Sequence, residues 1–350
     1  MISLHERHYA ILALILVNAL WGLSFPMMKC LNLQIDQHFG VDHETASTNL
    51  RVAAAAWLIG LRFAASLILF GVLFSRTIRS VRPPHACIGV GIGALFFIGL
   101  ILQVIALGTI PASRSGFLTS LAVVFTPLIW AVLHRRRPRW NVLAGAATAL
   151  LGVAVLAGVV VISEGRLSLA DDSVGRWTVG DSLTVLSAIF FSAQILLLDQ
   201  FGRRYDSVAF TPSMFATTAV LGFAAFAIVR PYVSEDGNAE WGGLMMTPAF
   251  FLTIVLLCAI PSVIAFAWMN KFQPRISAGH AAVIYTLEPV FASIWAMSLP
   301  ATLSLCCRVR YENEQFSLPL MIGGLMVLAA NLLALWPPPR PEQSSIQDNG

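Results

Sequence analysis

The sequence predicts an all-α polytopic membrane protein of ten transmembrane helices, and three observations lead there. Hydrophobic residues make up 57% of the chain and charged residues only 11%, against roughly 25% charged in a soluble domain. Mean hydropathy is +0.76, more apolar sequence than a soluble core requires. The apolar residues also lie in long runs, with the polar ones gathered between them.

Ten such runs can be counted, at about 9–29, 53–74, 86–107, 113–133, 141–162, 180–198, 212–229, 248–269, 279–299 and 317–336. Each has about the 20 residues that a tilted helix needs at ~1.5 Å rise. The first exceeds a signal-peptide core and lacks a small-residue cleavage pattern after it, so it is expected to remain as a helix.

Lysine and arginine set the orientation. With the amino terminus inside, inner segments carry 13 of the 22 basic residues, including three between Arg76 and Arg82 and four between Arg135 and Arg139. Outer segments carry 7, among them Lys29 and Arg51, and Arg62 and Arg114 fall within spans. Acidic residues are biased the other way, so both termini are expected in the cytoplasm and the protein in the cytoplasmic (inner) membrane. Tyr9, Trp140 and Trp336 are expected at the inner surface, and Trp57, Trp177 and Trp241 at the outer, where amphipathic rings prefer to lie. Two outer connections, about 30–52 and 163–179, are long. The tail at 337–350 is proline-rich and polar, and is expected to be disordered.

Ten spans divide into five and five. An odd number inverts the second unit relative to the first, an arrangement common in transporters. The expected units are 1–162 and 163–336. Ala112-Ser-Arg114 opens span four and Ala278-Gly-His280 opens span nine, and each span then contains a proline, Pro127 and Pro289.

Glu288 lies about 14 Å into span nine at ~1.5 Å per residue. A mid-membrane carboxylate costs at least ~2.5 kcal/mol on insertion scales, so it normally faces a cavity or a partner. The adjoining Pro289 is expected to kink the helix and free carbonyls of the preceding turn. Glu288 is therefore a candidate proton carrier or substrate partner; a protonated acid bonded to a neighbouring helix is the structural alternative. Arg62 lies ~13 Å below the outer surface, too deep to snorkel easily. Its candidate partners are Glu288 or a substrate carboxylate or phosphate, which arginine grips with two bonds.

Tyr285, Trp21, Trp268 and Trp295 are candidates to line a cavity, against the blander account of packing or lipid contact. Gln103, Gln194, Asn18 and Asn270 are read as polar groups that bond between helices, with Gln103 and Gln194 also candidates to meet a substrate. Pro127, Pro261 and Pro289 are hinge candidates. Arg114 and His280 begin spans at opposite surfaces, as gate residues or simple anchors. Gly89 and Gly93 allow close helix approach, within the chain or at a homodimer seam.

Several short motifs resemble the drug/metabolite transporter superfamily, in its EamA-type ten-helix branch. Asn18-Ala-Leu-Trp-Gly-Leu-Ser-Phe25 is similar to that family's W-G opening, and Leu61-Arg-Phe-Ala-Ala65 to its arginine early in helix two. Ser115-Gly-Phe-Leu-Thr-Ser-Leu121 with Phe125-Thr-Pro127 resembles helix four, Gly180-Asp-Ser-Leu-Thr-Val-Leu-Ser-Ala188 helix six, and Leu287-Glu-Pro-Val-Phe-Ala292 helix nine. Two features depart from the pattern: a long first outer loop, and Pro300 to Phe316 where the family has a tight glycine-glutamate turn, with Glu312 or Glu314 only loosely in place. The resemblance implies inverted five-helix repeats, a central cavity and movement of small organic solutes, often outward.

The expected function is a secondary transporter of small organic metabolites, amino-acid-like or drug-like, working by alternating access, with protons as a candidate coupling ion. A facilitative channel or a lipid- or nucleotide-sugar-type carrier is the alternative, and a receptor or assembly subunit a more distant one. An enzyme is not expected, since no H-E-x-x-H, G-x-S-x-G or Walker pattern occurs. No cofactor or metal is indicated: Cys30, Cys87, Cys258, Cys306 and Cys307 show no C-x-x-C spacing. A disulfide from Cys306 or Cys307 to Cys30 stays open. The formal charge of +4 reflects the basic inner loops and calls for no nucleic-acid partner.

Overall fold

A computed structural model describes residues 4–41, 46–135, 137–157, 160–163, 166–169, 177–202, 204–234, 240–272 and 284–335. Trp336, His280 and the tail at 337–350 lie outside the described residues. The helices that matter are α1 (Leu4–His38), α2 (Thr48–Leu73), α3 (Pro83–Leu107), α4 (Ala112–Thr119), α5 (Ala122–Leu133), α6 (Trp140–Leu156) and α7 (Val179–Gly202). They continue with α8 (Thr211–Val229), α9 (Pro248–Leu257), α10 (Ala265–Phe272), α11 (Glu288–Ser298), α12 (Pro300–Cys307) and α13 (Leu318–Leu335). The fold is that of an all-α polytopic membrane protein. Among the described residues, seven helices or helix pairs are long and apolar enough to cross a bilayer, and the bent pair α11–α12 makes an eighth. Trp140–Leu156 and Leu318–Ala334 are shorter apolar helices.

Four expectations are corrected. The first outer connection is no loop as far as His38, because α1 runs on for 35 residues; the apolar Leu31, Leu33 and Ile35 let the helix continue past the bilayer core, and Leu31 and Ile35 are fully buried. The second contains an antiparallel hairpin, β1 (Val160–Ser163) with β2 (Arg166–Leu169), so the fifth segment ends as a helix at Leu156. The ninth is not one straight helix: α11 begins only at Glu288, and α12 bends away from it by 52°. Finally, Trp57 and Trp241 are core residues, packed on each other at 5.5 Å and on Phe250 and Phe226. Tyr9 and Trp140 are exposed.

The helices pack in a repeating pattern. The second segment lies on the seventh (α2 on α8), the fifth on the tenth (α6 on α13) and the fourth on the ninth (α4 on α11). In each pair the partners are five places apart. The third packs on the sixth and the first on the eighth, contacts that exchange under the same five-place shift.

Small residues permit these approaches. A Cβ on Gly89 would meet the Phe210 carbonyl at 2.6 Å, and one on Gly93 the Met214 carbonyl at 2.7 Å. The G-x-x-x-G face is thus spent within the chain, against α8 and the turn before it. At the centre, a Cβ on Gly22 of α1 would stand 2.7 Å from the Ala292 backbone nitrogen of α11. Gly22→Val is expected to wedge α1 from α11 and destabilise by ~1–3 kcal/mol, as over-packing does. Thermal unfolding in detergent should show this loss, with Gly242→Ala, which has open space around it, unchanged.

Candidate functional site

Both the fourth and the ninth segments are broken, and in the same register. Between α4 and α5 the chain turns at Ser120-Leu121, and before α11 at Thr286-Leu287. Each turn comes eight residues after the alanine of Ala112-Ser-Arg114 or Ala278-Gly-His280. The prolines, unequally spaced, are not the matching feature. At the first break the bonds tighten to three-residue steps, Leu121 N to Leu118 O at 3.2 Å and Val124 N to Leu121 O at 2.9 Å. The Ser120 hydroxyl bonds back to the Phe117 carbonyl at 2.8 Å, competition that loosens a helix. At the second, Leu287 N bonds Ile284 O at 3.0 Å, again three residues back.

This changes the expected role of Pro289. It sits in the first turn of α11, where a missing N–H costs nothing, so the break precedes the proline. Pro127 does lie inside α5. Pro261 lies within a π-helical stretch, Cys258–Ile264, that joins α9 to α10. Such stretches are frequent at functional sites.

Glu288 therefore opens a helix. It lies one and two turns before Ala292 and Ala296, both fully buried, at the edge of the inward stripe of α11. Its own side is only half-buried. Tyr285, one turn earlier, faces Trp21 of α1 at 5.8 Å between ring centroids, and Trp21 faces Phe266 of α10 at 5.7 Å. Both α1 and α4 close on this point through glycine: a Cβ on Gly116 would come within 2.9 Å of the Ala292 Cβ.

Arg62 is buried on α2 and does not meet Glu288: among the described residues no ion pair joins them. Its Nε donates to the Ser262 hydroxyl at 2.9 Å, and the Cys258 thiol donates to the Arg62 carbonyl at 3.2 Å. Both partners belong to the π-helical stretch, so the hinge candidate Pro261 and the buried cation share one locus. The guanidinium also lies 5.3 Å from the Phe63 ring centroid. From Phe63 a run of rings crosses the interior through Phe96 (5.4 Å) and Phe215 (5.3 Å) to Phe266, 6.0 and 5.6 Å from them. Ring contacts thus connect the surroundings of Arg62, through Phe266 and Trp21, to Tyr285 beside Glu288.

Gln194 lines a small cleft of about 20 Å³, with Ile92, Phe210, Met214, Phe266 and Met269 among its walls. The cleft lies toward the end of the bundle where His85 meets Tyr205 and Phe210. Phe266 is common to the cleft and the aromatic run. Gln103 donates to the Thr119 hydroxyl at 2.8 Å, just before the first break.

Several other candidates take structural places. Asn18 bonds its own helix, at the Leu14 carbonyl, and not a neighbour. Trp295 donates to the Ala19 carbonyl at 2.8 Å, and Trp268 is exposed on the outside of the bundle. Arg114 is no simple surface anchor: it pairs with Asp181, a wholly buried carboxylate on α7, at 2.5 Å. The five cysteines are free, though Cys30 and Cys307 share one cluster. Asp181, Ser262 and Phe266 were not singled out from the sequence. Only Asp181 had a signal, an acid near a span end that mirrors a basic one.

Residues 178–336 match the EamA-like transporter family. An "Uncharacterized transporter" of Archaeoglobus fulgidus is 25% identical over 85% of this chain and 80% of its own length. A "Probable terminal-alkyne amino-acid exporter" of Streptantibioticus cattleyicolor is 25% identical over 48% of this chain and 60% of its own. A solved structure described as "Crystal structure of protein" covers 91% of this chain and 95% of that one, with 19% identity and a TM-score of 0.48. The chain is thus similar to proteins named as transporters, and its described residues form long apolar helices of the kind that cross a membrane.

The separation of Arg62 from Glu288 has a measurable consequence. In a double-mutant cycle of Arg62→Gln and Glu288→Gln, the stability coupling by thermal unfolding in detergent should stay below about 0.5 kcal/mol, the additive range for groups not in contact. A buried ion pair would give a larger value.

Proposed function

We propose that this protein is a secondary carrier that moves small amphipathic organic metabolites outward across the cytoplasmic membrane by alternating access, with Glu288 carrying a proton or meeting the cationic part of the solute. The observation that carries the reading is the placement of Glu288: a carboxylate at the start of a broken helix, half open, beside Trp21 and Tyr285. A helix start concentrates unpaired N–H groups and favours negative charge, which lowers the cost of an anionic Glu288 at depth. Arg62, held by Ser262 but by no acid among the described residues, is placed to receive a carboxylate or phosphate of the solute through the rest of its fork.

A solute with both charges and an apolar body suits Glu288, Arg62 and the aromatic rings that connect their surroundings. Amino-acid-like compounds have that form, and one relative is named for exporting one. The five-place packing pattern and the matched breaks support ten crossings arranged as two inverted five-helix units, 1–162 and 163–336. In this reading the α4–α5 and Thr286-Leu287 breaks are the places where the two units bend. The π-helical stretch around Pro261 is a third.

Purified protein in liposomes, loaded with a library of amino acids and amphipathic metabolites, tests the proposal. Flux should rise with a proton gradient. Glu288→Gln should cut it at least ~10-fold, the effect of losing one charge-assisted contact in a dry site, and abolish its pH dependence. Unchanged rate and pH profile in Glu288→Gln would remove Glu288 from the mechanism.

A further inference from the structure

The connection Gly108–Arg114, between α3 and α4, gathers charged groups from four other parts of the chain. Lys29 of α1 donates to the Ile110 carbonyl at 3.2 Å, and Arg51 of α2 to the Gly108 carbonyl at 2.8 Å. Arg114 pairs with Asp181 of α7, whose Oδ2 also accepts from the Thr178 N–H at 2.7 Å and its hydroxyl at 2.9 Å. From beyond α12 comes Glu314. One of its oxygens accepts from the Ala112 N–H at 2.6 Å; the other accepts from the Ser113 N–H at 3.3 Å and from the Ser113 hydroxyl.

The Glu314 backbone N–H in turn donates to the Ala296 carbonyl at 3.0 Å, on the last turns of α11. The carboxylate therefore ties α11 to the first turn of α4, whose first N–H groups have no partner within the helix. Lys29 is near enough to interact with the Glu314 charge. The site is largely dry: burial, and then the Glu314 charge, push the Tyr311 phenol well above its usual range.

Of these contacts, those of Lys29 and Arg51 stay within residues 1–162. Those of Glu314 and Asp181 cross from residues 163–336, and they do so at the end of the bundle opposite the cleft at Gln194. One turn deeper, Gly116 meets Ala292 and Pro289, directly beside Glu288. We infer that Glu314 is the gate residue of this carrier: its carboxylate latches the first turn of α4 to α11 and closes the approach to Glu288 from the face of residues 108–114.

For that face to open, α4 must leave α11, and the bonds from Ala112 and Ser113 to Glu314 must break. The Arg114–Asp181 pair ties α4 to α7. The nearby acid Glu312 is exposed and pairs with Arg310 at the surface, so it takes no part. The inference rests on the alternating-access reading above.

The test reads accessibility, separately from transport. In a background with the exposed Cys87 and Cys306 replaced by serine, Ser293→Cys places a reporter on α11 just below the latch, where Ser293 is buried. A membrane-impermeant maleimide is applied from the face of residues 108–114. Adding Glu314→Gln should raise the labelling rate about tenfold, since charge-assisted bonds are about twice as strong as neutral ones. Glu314→Asp should restore part of the closure, and Glu312→Gln should change nothing. An unchanged rate in Glu314→Gln, or a rise of equal size from both faces, overturns the latch. Solute flux of the parent protein is measured in parallel: its absence would sink the carrier reading, whereas intact flux with unchanged labelling would sink the latch alone.

Discussion

A charge in the middle of a membrane must be met by something, and the architecture of this protein follows from how Glu288 is met. Among the described residues the chain does not pair the half-buried carboxylate with Arg62. It breaks the helix one residue earlier, so that Glu288 begins α11 and stands at the mouth of unpaired backbone donors. Gly22 and Gly116 bring α1 and α4 hard against Ala292, while Trp21 and Tyr285 pair their rings one turn before Glu288.

Arg62 shows the complementary device. A buried guanidinium is kept by a hydroxyl and a backbone irregularity, Ser262 within the π-helical stretch, where a carboxylate would have frozen it. A neutral partner orients the cation without cancelling its charge. Glu314 extends the same economy to the gate, where its carboxylate serves the start of a helix, as a charge does best in a dry setting.

Much of this was legible in the sequence because the bilayer imposes it. Uninterrupted apolar runs located the helices, and Glu288 and Arg62 stood out as charges within them. The breaks were less legible. Pro127 and Pro289 drew attention as helix disruptors, yet the chain turns at Ser120-Leu121, where a hydroxyl and three-residue bonds loosen the helix, and at Thr286-Leu287, where a three-residue bond does so. No composition rule marks such a turn; its register became visible only when both copies could be compared. The run from Leu31 to Ile35 was read as loop because it follows Lys29 and Cys30, but its apolar residues have partners in the fold and extend α1. Glu314 was noticed only as a displaced family residue. Its role depends on α4 arriving beside it from some 200 residues away, which spacing along the chain cannot reveal.

The central claim is that Glu288 borders water that reaches it from either face in turn. Glu288→Cys, in the background lacking Cys87 and Cys306, is labelled with an impermeant thiol reagent applied from one face and then the other, with and without an imposed gradient. The account predicts modification from the Gln194 face at rest and from the face of residues 108–114 once solute and gradient drive the cycle. A cysteine at 288 that stays unmodified from both faces under every condition would contradict it.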